Sequence, residues 1–309
     1  MKEKVRTNIS KSTKENMAYV RDLFKDTSDM VFREFNCGNI LCALVYIDGM
    51  ADKILLDDYV VEPLMEMAGE VTDPVELKSR VISVSDMREV KTMTDGLAAA
   101  LSGETLLFID GYPGAIIIAT RSWPNRGVSE PSSETVIRGP REGFTETIRF
   151  NTALLRRRIR DVGLKVEASQ CGVRSKTDIA LVYIDDIVNI EVLKELRRRL
   201  KRIDIDAILD SGYIEQFIED NENTPFPQVQ STERPDVVSA ALYEGRIGII
   251  VDGSPFVLIV PAVLVDFFQA PDDYYSSWIT GTFVRFLRLI GIMTSLIMPA
   301  LYVAVTSFH

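Results

Sequence analysis

The sequence predicts an α/β protein made of two related lobes and followed by a C-terminal hydrophobic helix. Three observations support this fold class. A set of short motifs occurs twice in the same order, about 140 residues apart. A connector rich in proline, glycine and arginine separates the two copies, and residues 289–308 contain no charged side chain. Each copy has the order strand, helix, strand, helix, β-hairpin, which suits a sheet covered by helices.

We expect the chain to begin with a helical lead-in, residues 1–36. This stretch is mostly polar, and residues 16–24 and 30–35 are candidates for short helices. The N-terminus is charged and has no apolar run behind it, so it does not look like a secretory signal. The body of the protein is therefore expected to stay on the side of the membrane where it is made.

The first lobe, residues 37–120, and the second lobe, residues 161–270, share a strand motif. Residues 44–48 read Leu-Val-Tyr-Ile-Asp, and residues 181–185 repeat the same five letters. A short run of β-branched and aromatic residues that ends in an acid predicts a buried strand leading into a turn.

A helix and a second strand are expected next in each lobe. Apolar residues recur at helical spacing in residues 54–67 and 190–200. The second of these helices carries a basic set on its expected solvent side: Arg197, Arg198, Arg199 and Lys201. The second strand is expected at residues 81–84 in the first lobe and at residues 207–209 in the second.

A short helix and a hairpin complete each lobe. The helix, residues 95–103 or 236–245, begins with an aspartate suited to its N-terminus and ends at a glycine suited to a left-handed backbone. Residues 107–117 and 249–259 then contain Asp-Gly-x-Pro between two apolar runs. This pattern predicts strand, tight turn, strand.

Between the lobes, residues 121–160 form a connector, whose first part, residues 121–144, we call the strap. From Arg121 to Arg149 the chain has five arginines, four glutamates and no lysine. Because a guanidinium binds a carboxylate with two parallel hydrogen bonds, this composition favours fixed pairings over an ordinary exposed linker, which is the alternative. The candidate contacts between lobes or between subunits are Arg126, Glu130, Arg138, Arg141, Glu142 and Arg149.

Residues 145–159 predict a linking helix after the strap. Its basic run comprises Arg156, Arg157, Arg158 and Arg160. A solvated basic face is the simpler interpretation of this run, and a surface that faces an acidic partner is the other. In the second lobe, residues 221–235 contain three prolines and are expected to form an exposed loop.

Residues 271–309 predict a juxtamembrane stretch and a transmembrane segment. A helix of 20 uncharged residues spans about 30 Å, the thickness of the hydrocarbon core of a bilayer. Arg285 and Arg288 precede it, with Trp278 upstream, so we expect them to couple a cytoplasmic body to the membrane. A buried core helix, to which Pro299 lends some support, and a helix lying in the interface are the alternatives.

The composition argues against several function classes. A net charge of −10 disfavours nucleic acid as a partner. Three cysteines, Cys37, Cys42 and Cys171, without a Cys-x-x-Cys motif give no sign of a disulfide framework or a zinc site. The single histidine is His309, so the body can hold neither a Ser-His-Asp triad nor a histidine metal site. We therefore expect no enzyme activity, no metal and no cofactor.

An enzyme remains a minor alternative because acids follow four expected strands. These are Asp48, Asp110, Asp185 and Asp252. Each lies in a turn signal where aspartate is favoured for conformational reasons alone. Their pairwise repetition also indicates structure, since a duplicated fold keeps its turns.

The strap makes the chain recognisable. Residues 122–159, SWPNRGVSEPSSETVIRGPREGFTETIRFNTALLRRRI, strongly resemble the A-subunit family of GerA-type germinant receptors of endospore-forming bacteria. Asp26-Thr-Ser-Asp-Met-Val, Asp252-Gly-Ser-Pro-Phe and Pro271-Asp-Asp-Tyr-Tyr also match, as do stretches near residues 283 and 299. The resemblance covers nearly the whole chain.

The resemblance implies a role and a location. Such A subunits sit in the spore inner membrane with their soluble domain facing the spore core. They act with a transporter-like B subunit and a C-subunit lipoprotein, and are thought to form a homo-oligomeric, nutrient-gated ion channel. Family members have several membrane segments, whereas this sequence shows only the first, so we expect it to be part of a longer chain.

Two functions from different classes follow. The first is a receptor subunit that couples nutrient sensing to ion release and spore germination. The second is a module that binds a small molecule in a groove between the two lobes, a use that such paired lobes suit. Binding tests of the isolated subunit with amino acids and sugars would discriminate between them.

Overall fold

The computed structural model describes residues 5–66, 87–122, 131, 134, 139–220, 224, 226–268, 270, 272–275 and 277–307. In these ranges the protein has two five-stranded antiparallel sheets, helices packed on them and an apolar C-terminal helix. This architecture confirms the α/β fold class with its apolar helix. Both sheets have the same strand order, so the motif repeat in the sequence is also a repeat of topology.

The first sheet has the order β1-β2-β4-β5-β3. Its strands are β1 (Met30–Cys37), β2 (Ile40–Ile47), β3 (Met87–Val90), β4 (Thr105–Ile109) and β5 (Ala115–Ile118). Its helices are α1 (Thr13–Leu23), α2 (Lys53–Leu56), α3 (Glu62–Glu66) and α4 (Met93–Ala100), with a π-helical turn at Asp57–Val61 between α2 and α3.

The second sheet has the order β6-β7-β9-β10-β8. Its strands are β6 (Leu164–Cys171), β7 (Thr177–Ile184), β8 (Gln230–Thr232), β9 (Ile247–Val251) and β10 (Val257–Val260). Its helices are α5 (Ile148–Arg158), α6 (Ile190–Leu200), α7 (Ser211–Ile218) and α8 (Pro235–Tyr243). The two Asp-Gly turns therefore join β4 to β5 and β9 to β10, as the hairpin motifs predict.

Each sheet is buried on both faces. Along β2, Leu44 and Tyr46 pack with α2 and α3 on one face, while Val45 and Ile47 pack with α1 and α4 on the other. The second sheet is covered in the same way, by α6 and α7 on one face and by α5 and α8 on the other. Burial on both faces explains why the repeated strand motif is continuously apolar and does not alternate.

The two Asp-Gly turns hold equivalent helices at their N-termini. The Asp110 carboxylate accepts the Thr13 backbone N–H at 2.9 Å, and the Asp252 carboxylate accepts that of Ile148 at 3.0 Å. These bonds satisfy a free N–H at the start of α1 and of α5. The packing favours including α1 in the first lobe and α5 in the second, although the domain boundaries remain a prediction.

The prediction of a helix at residues 30–35 is wrong. These residues belong to β1, which pairs along its whole length with β2, from Met30 opposite Ile47 to Cys37 opposite Ile40. Local periodicity did not reveal this strand because it lies at the sheet edge, where its burial alternates poorly. Its conformation is set by pairing with a neighbour of high β-propensity.

The second-strand prediction is also wrong in the second lobe. Residues 207–209 are not in a strand, although Ile208 is buried in the core. The equivalent of β3 is β8, which pairs with β10 inside the loop that was expected to be exposed. That loop expectation fails at its end, where Thr232 and Arg234 are completely buried. In the first lobe, residues 81–84 lie outside the described residues.

After β10 the chain runs into the C-terminal helix. A 3-10 helix (Leu264–Phe268) and the short α9 (Asp272–Tyr275) lead to α10 (Trp278–Ser307). By length and composition α10 could cross a membrane, and the mean hydropathy of its apolar window is 2.0. None of this window is buried in the protein, which excludes a core helix of this chain.

Candidate functional site

A seam of main-chain and side-chain bonds joins the two lobes. The backbone N–H and the hydroxyl of Ser28, in the loop after α1, both donate to the Val166 carbonyl of β6, at 2.9 and 2.8 Å. Nearby, the Lys165 ammonium donates to the Leu23 carbonyl at 2.9 Å. The loop of the first lobe thus lies along the edge of the second sheet.

An ion pair is buried at the centre of this seam. Arg156 of α5 donates from Nε and Nη2 to the two carboxylate oxygens of Asp29, at 2.7 and 3.0 Å. The Arg156 side chain is fully buried and the Asp29 side chain is 7% exposed. Such a bidentate pair fixes orientation, because both oxygens and both nitrogens must align.

Helix α5 belongs to both cores at this point. Its Leu154 and Leu155 pack into the second lobe, whereas Ala153 packs into the first. Gly49, after β2, has a φ of +81°, and a Cβ there would lie 3.2 Å from the Arg149 carbonyl. The turn after β2 can approach α5 closely because residue 49 has no side chain.

The strap is bound to α5 through Glu142. Its two carboxylate oxygens lie 3.0 Å from Arg157 Nη2 and 2.9 Å from Arg158 Nη2. Two residues later, the Phe144 backbone N–H donates to the Glu233 carbonyl at 2.8 Å. This end of the strap therefore lies between α5 and the segment that precedes α8.

A buried arginine just before α8 binds the strap at two further points. Arg234 is fully buried and donates to the carbonyls of Glu134 and Pro140, at 3.2 and 3.3 Å. It also donates to the Asp236 carboxylate at 2.8 Å. Thr232 donates to the Glu134 carboxylate at 2.6 Å, so strap and second lobe are joined by side chains as well as by main chain.

Asp236 also connects this cluster to the short helix α9. The Tyr275 hydroxyl donates to Asp236 at 2.6 Å. Burial, together with this bond to a carboxylate, raises the pKa of Tyr275 to about 12, which keeps it a donor. Gly139 of the strap lies against the ring, because a Cβ at residue 139 would be 2.7 Å from a Tyr275 ring carbon.

The opposite side of α9 is bound to α10. Asp273 is 2% exposed, and its carboxylate accepts two bonds from Arg288, at 2.7 and 3.1 Å. Arg285 Nε lies 3.5 Å from the same carboxylate. The hydrogen bonds from Arg288 lower the pKa of Asp273, so this group stays ionised at neutral pH.

These contacts form one continuous set, which we call the coupling network. It runs from Glu134 and Pro140 of the strap through Arg234, Asp236 and Tyr275. It continues through α9 to Asp273 and the two arginines of α10: Arg285 and Arg288. The strap and the apolar helix are therefore joined by a continuous series of bonded groups.

The predicted contact residues fall into three groups. Arg126, Glu130 and Arg138 lie outside the described residues. Glu142 pairs with α5, as described above, and Arg149 Nε lies 3.6 Å from Asp48 at the end of β2. Arg141 is exposed. The two residues predicted to couple to the membrane, Arg285 and Arg288, both contact Asp273.

The basic run of α5 is not the solvated face that the simpler interpretation expected. Arg156 is buried against Asp29, while Arg157 and Arg158 share Glu142. Arg160 is exposed and donates only to a backbone carbonyl among its described bonds. The acidic partners of this run are thus in the same chain.

Sequence reasoning missed several residues of the site. Asp29, Asp273 and Tyr275 lie in stretches noted only as matches, Asp236 was assigned to a helix N-terminus, and Arg234 was assigned to an exposed loop. A signal existed for Asp273 and Tyr275, because Asp-Asp-Tyr-Tyr stands shortly before an apolar helix whose N-terminal part carries Arg285 and Arg288.

Three of the four acids weighed for an enzyme have partners for their side chains among the described residues. Asp110 and Asp252 bind helix N-termini, and Asp48 binds Lys53 at 2.7 Å. In the part of the chain that the structure describes, no group of three or more His, Cys, Asp or Glu side chains could hold a metal ion.

The chain is similar to spore germination proteins over almost all of its length. Residues 18–309 match the family model described as Bacillus/Clostridium GerA spore germination protein. Spore germination protein GerLA of Bacillus cereus is 42% identical over 299 residues, which cover 96% of this chain and 61% of the relative. Spore germination protein KA of Bacillus subtilis (strain 168) is 40% identical, covering 97% and 56%.

A solved structure has the same fold. It is the N-terminal domain of the A subunit of the Bacillus megaterium spore germinant receptor GerK3, at 37% identity and a TM-score of 0.66. The match covers 84% of this chain and 98% of that one. This chain spans about three fifths of the length of the curated relatives that it matches. On the extent of these matches, the chain belongs to the GerA family of spore germination proteins.

Proposed function

We propose that the protein is a germinant receptor subunit of the spore inner membrane, with its two lobes facing the spore core. In this role it couples nutrient sensing by the receptor to ion release, acting beside a transporter-like B subunit, a C-subunit lipoprotein and further copies of itself. The family, the names of the relatives and the apolar α10 support this assignment.

The observation that carries the coupling role is the coupling network. Side chains that bind both a soluble domain and a membrane helix can carry energetic coupling between them. Here Asp273 accepts Arg288 of α10, and α9 is bound on its other side to Asp236 and the strap. We assign Arg285 and Arg288 to membrane coupling on this basis.

Five residues of the strap and Arg149 of α5 are proposed as assembly contacts. Arg126, Glu130, Arg138, Arg141, Glu142 and Arg149 would hold the lobes together or meet another subunit. Glu142 supports the first of these roles, since it binds Arg157 and Arg158 of α5. The small-molecule alternative stays a prediction. At the seam between the lobes, the described residues include the buried Asp29–Arg156 pair.

Charge reversal at Glu142 tests this role. Glu142→Arg places a third cation beside Arg157 and Arg158, so we expect the full-length receptor to lose assembly or the germination response. Combining it with Arg157→Glu should restore part of the response, because one opposite-charge pair is regained. The measurement is the germination of spores that carry the variant as their sole nutrient receptor.

Glu146→Arg is the matched control. It makes the same change of charge four residues further along, at an exposed side chain. Spores with this variant should respond normally. Normal germination of the Glu142→Arg spores would remove Glu142 from the proposal.

A further inference from the structure

Exposed apolar side chains surround the point where α10 leaves the second lobe. Arg288 donates to the Phe268 carbonyl at 2.8 Å, which ties α10 to the 3-10 helix Leu264–Phe268. Beyond Arg288, the described residues of α10 are exposed, apart from the half-buried Ile292. The body of the protein thus ends beside α10 at the level of the 3-10 helix.

The 3-10 helix presents an apolar surface at this level. Val263 is 48% exposed and Phe267 is 39% exposed. The acid between them, Asp266, is bound by both terminal nitrogens of Arg246, so its charge is compensated. Transfer of an apolar surface out of water costs little free energy when the charged groups within it are paired.

The length of α10 places this surface at a membrane boundary. Its 30 residues span about 45 Å, against about 30 Å for the hydrocarbon core and 40–45 Å with the headgroup layers. With residues 289–307 in the hydrocarbon core, a headgroup layer of about 5–7 Å takes in about the last four residues before Leu289, including Arg288, which binds the 3-10 helix. Phe286 is 58% exposed in this layer, and exposed aromatic side chains suit it.

We propose that the second lobe itself contacts the lipid surface, through Val263 and Phe267 of the segment beside α10. The occupant of this apolar surface is the bilayer because the surface continues that of α10 at the position where the apolar segment begins. The inference rests on the proposed insertion of α10. It adds a second membrane contact that fixes the height and tilt of the lobe.

Spin labels in the liposome-reconstituted protein test this contact. Phe267→Cys is labelled, and its collision rates with oxygen, which concentrates in lipid, and with a water-soluble nickel complex are compared. The three native cysteines are buried, so labelling of the unchanged chain sets a low background. Leu209→Cys is the control, an apolar residue of the same lobe that is 69% exposed and distant in sequence from α10.

A third label, Leu296→Cys in the middle of α10, reports insertion independently. We expect a several-fold higher oxygen-to-nickel ratio at 267 and 296 than at 209. A ratio at 267 equal to that at 209, with 296 in lipid, overturns the contact and leaves insertion of α10 intact. Shielding of 267 from both reagents also overturns it, since protein would then cover the surface. A label at residue 296 that is exposed to water would contradict both the insertion of α10 and the lipid contact of residue 267.

Discussion

Asp29 and Arg156 form an ion pair that neither lobe could bury alone. The arginine comes from α5 and the acid from the loop after α1, 127 residues away in the chain. The sequence shows only a run of arginines here, because burial of one of them depends on α5 lying between both lobes. The turns at Asp110 and Asp252 were predictable because Asp-Gly-x-Pro favours a turn locally, whereas the bonds of these aspartates to Thr13 and Ile148, 97 and 104 residues away, were not.

Asp29→Asn should destabilise the protein strongly. It leaves the Arg156 charge buried without a counterion, which costs about 3–5 kcal/mol in comparable sites. Denaturant unfolding of the detergent-solubilised chain measures this loss. Asp26→Asn changes an exposed acid of the same loop and should shift the unfolding free energy by less than about 0.5 kcal/mol. Equal effects of the two substitutions would contradict the role of the pair.

Glu134 gives the strap a dependence on pH. Burial raises the pKa of this carboxyl above its ordinary value of 4.5, although the bond from Thr232 opposes the shift. A carboxyl with a raised pKa holds its proton more tightly in the folded than in the unfolded chain. Its contribution to the free energy of unfolding is therefore present below the ordinary pKa and is lost as pH rises through the raised pKa. The melting temperature of Glu134→Gln, relative to that of the native chain, should therefore rise as pH increases above 4.5. A difference independent of pH would rule this out.

At the scale of elements, the strands and helices with strong local signals were predictable. The apolar runs of β2 and β7, the hairpins and the glycines after α4 and α8 are examples. By contrast, β8 has three residues, Gln-Ser-Thr, and becomes a strand only by pairing with β10. Its neighbour Arg234 is buried for the same reason, since the strap folds over it.

The packing of the strap on α9 can be loosened by one methyl group. Gly139→Ala places a Cβ within 2.7 Å of the Tyr275 ring, at a φ of +134° that already disfavours a side chain. We expect faster proteolysis at the strap arginines and loss of the bond from Tyr275 to Asp236. Limited trypsin digestion followed over time measures the first effect.

Gly253→Ala is the control for backbone strain. It has a φ of +86° and nothing within 4 Å of the added Cβ. This variant should lose some stability but keep the native cleavage rate in the strap. An increase in strap cleavage as large as that of Gly139→Ala would assign the effect to strain and not to Tyr275.

At the scale of the whole molecule, two lobes of identical topology meet at one seam, and only the second is bonded to α10 among the described contacts. The duplicated fold was predictable because both copies keep their motifs. That α10 follows the second lobe was predictable from the order of the chain, but the pairing of Asp273 with Arg288 was not, because it depends on α9 packing against α10. We propose that this asymmetric attachment transmits the state of the lobes to the membrane.

Exchange of the charges at Asp273 and Arg288 tests this claim most directly. The full-length protein is placed in spores as their sole nutrient receptor, with Asp273→Arg, Arg288→Asp, or both, and germination is measured with receptor levels checked in the membrane. We predict that each single variant is present but loses most of the response, and that the double variant regains a substantial part. A normal response from either single variant would contradict the account.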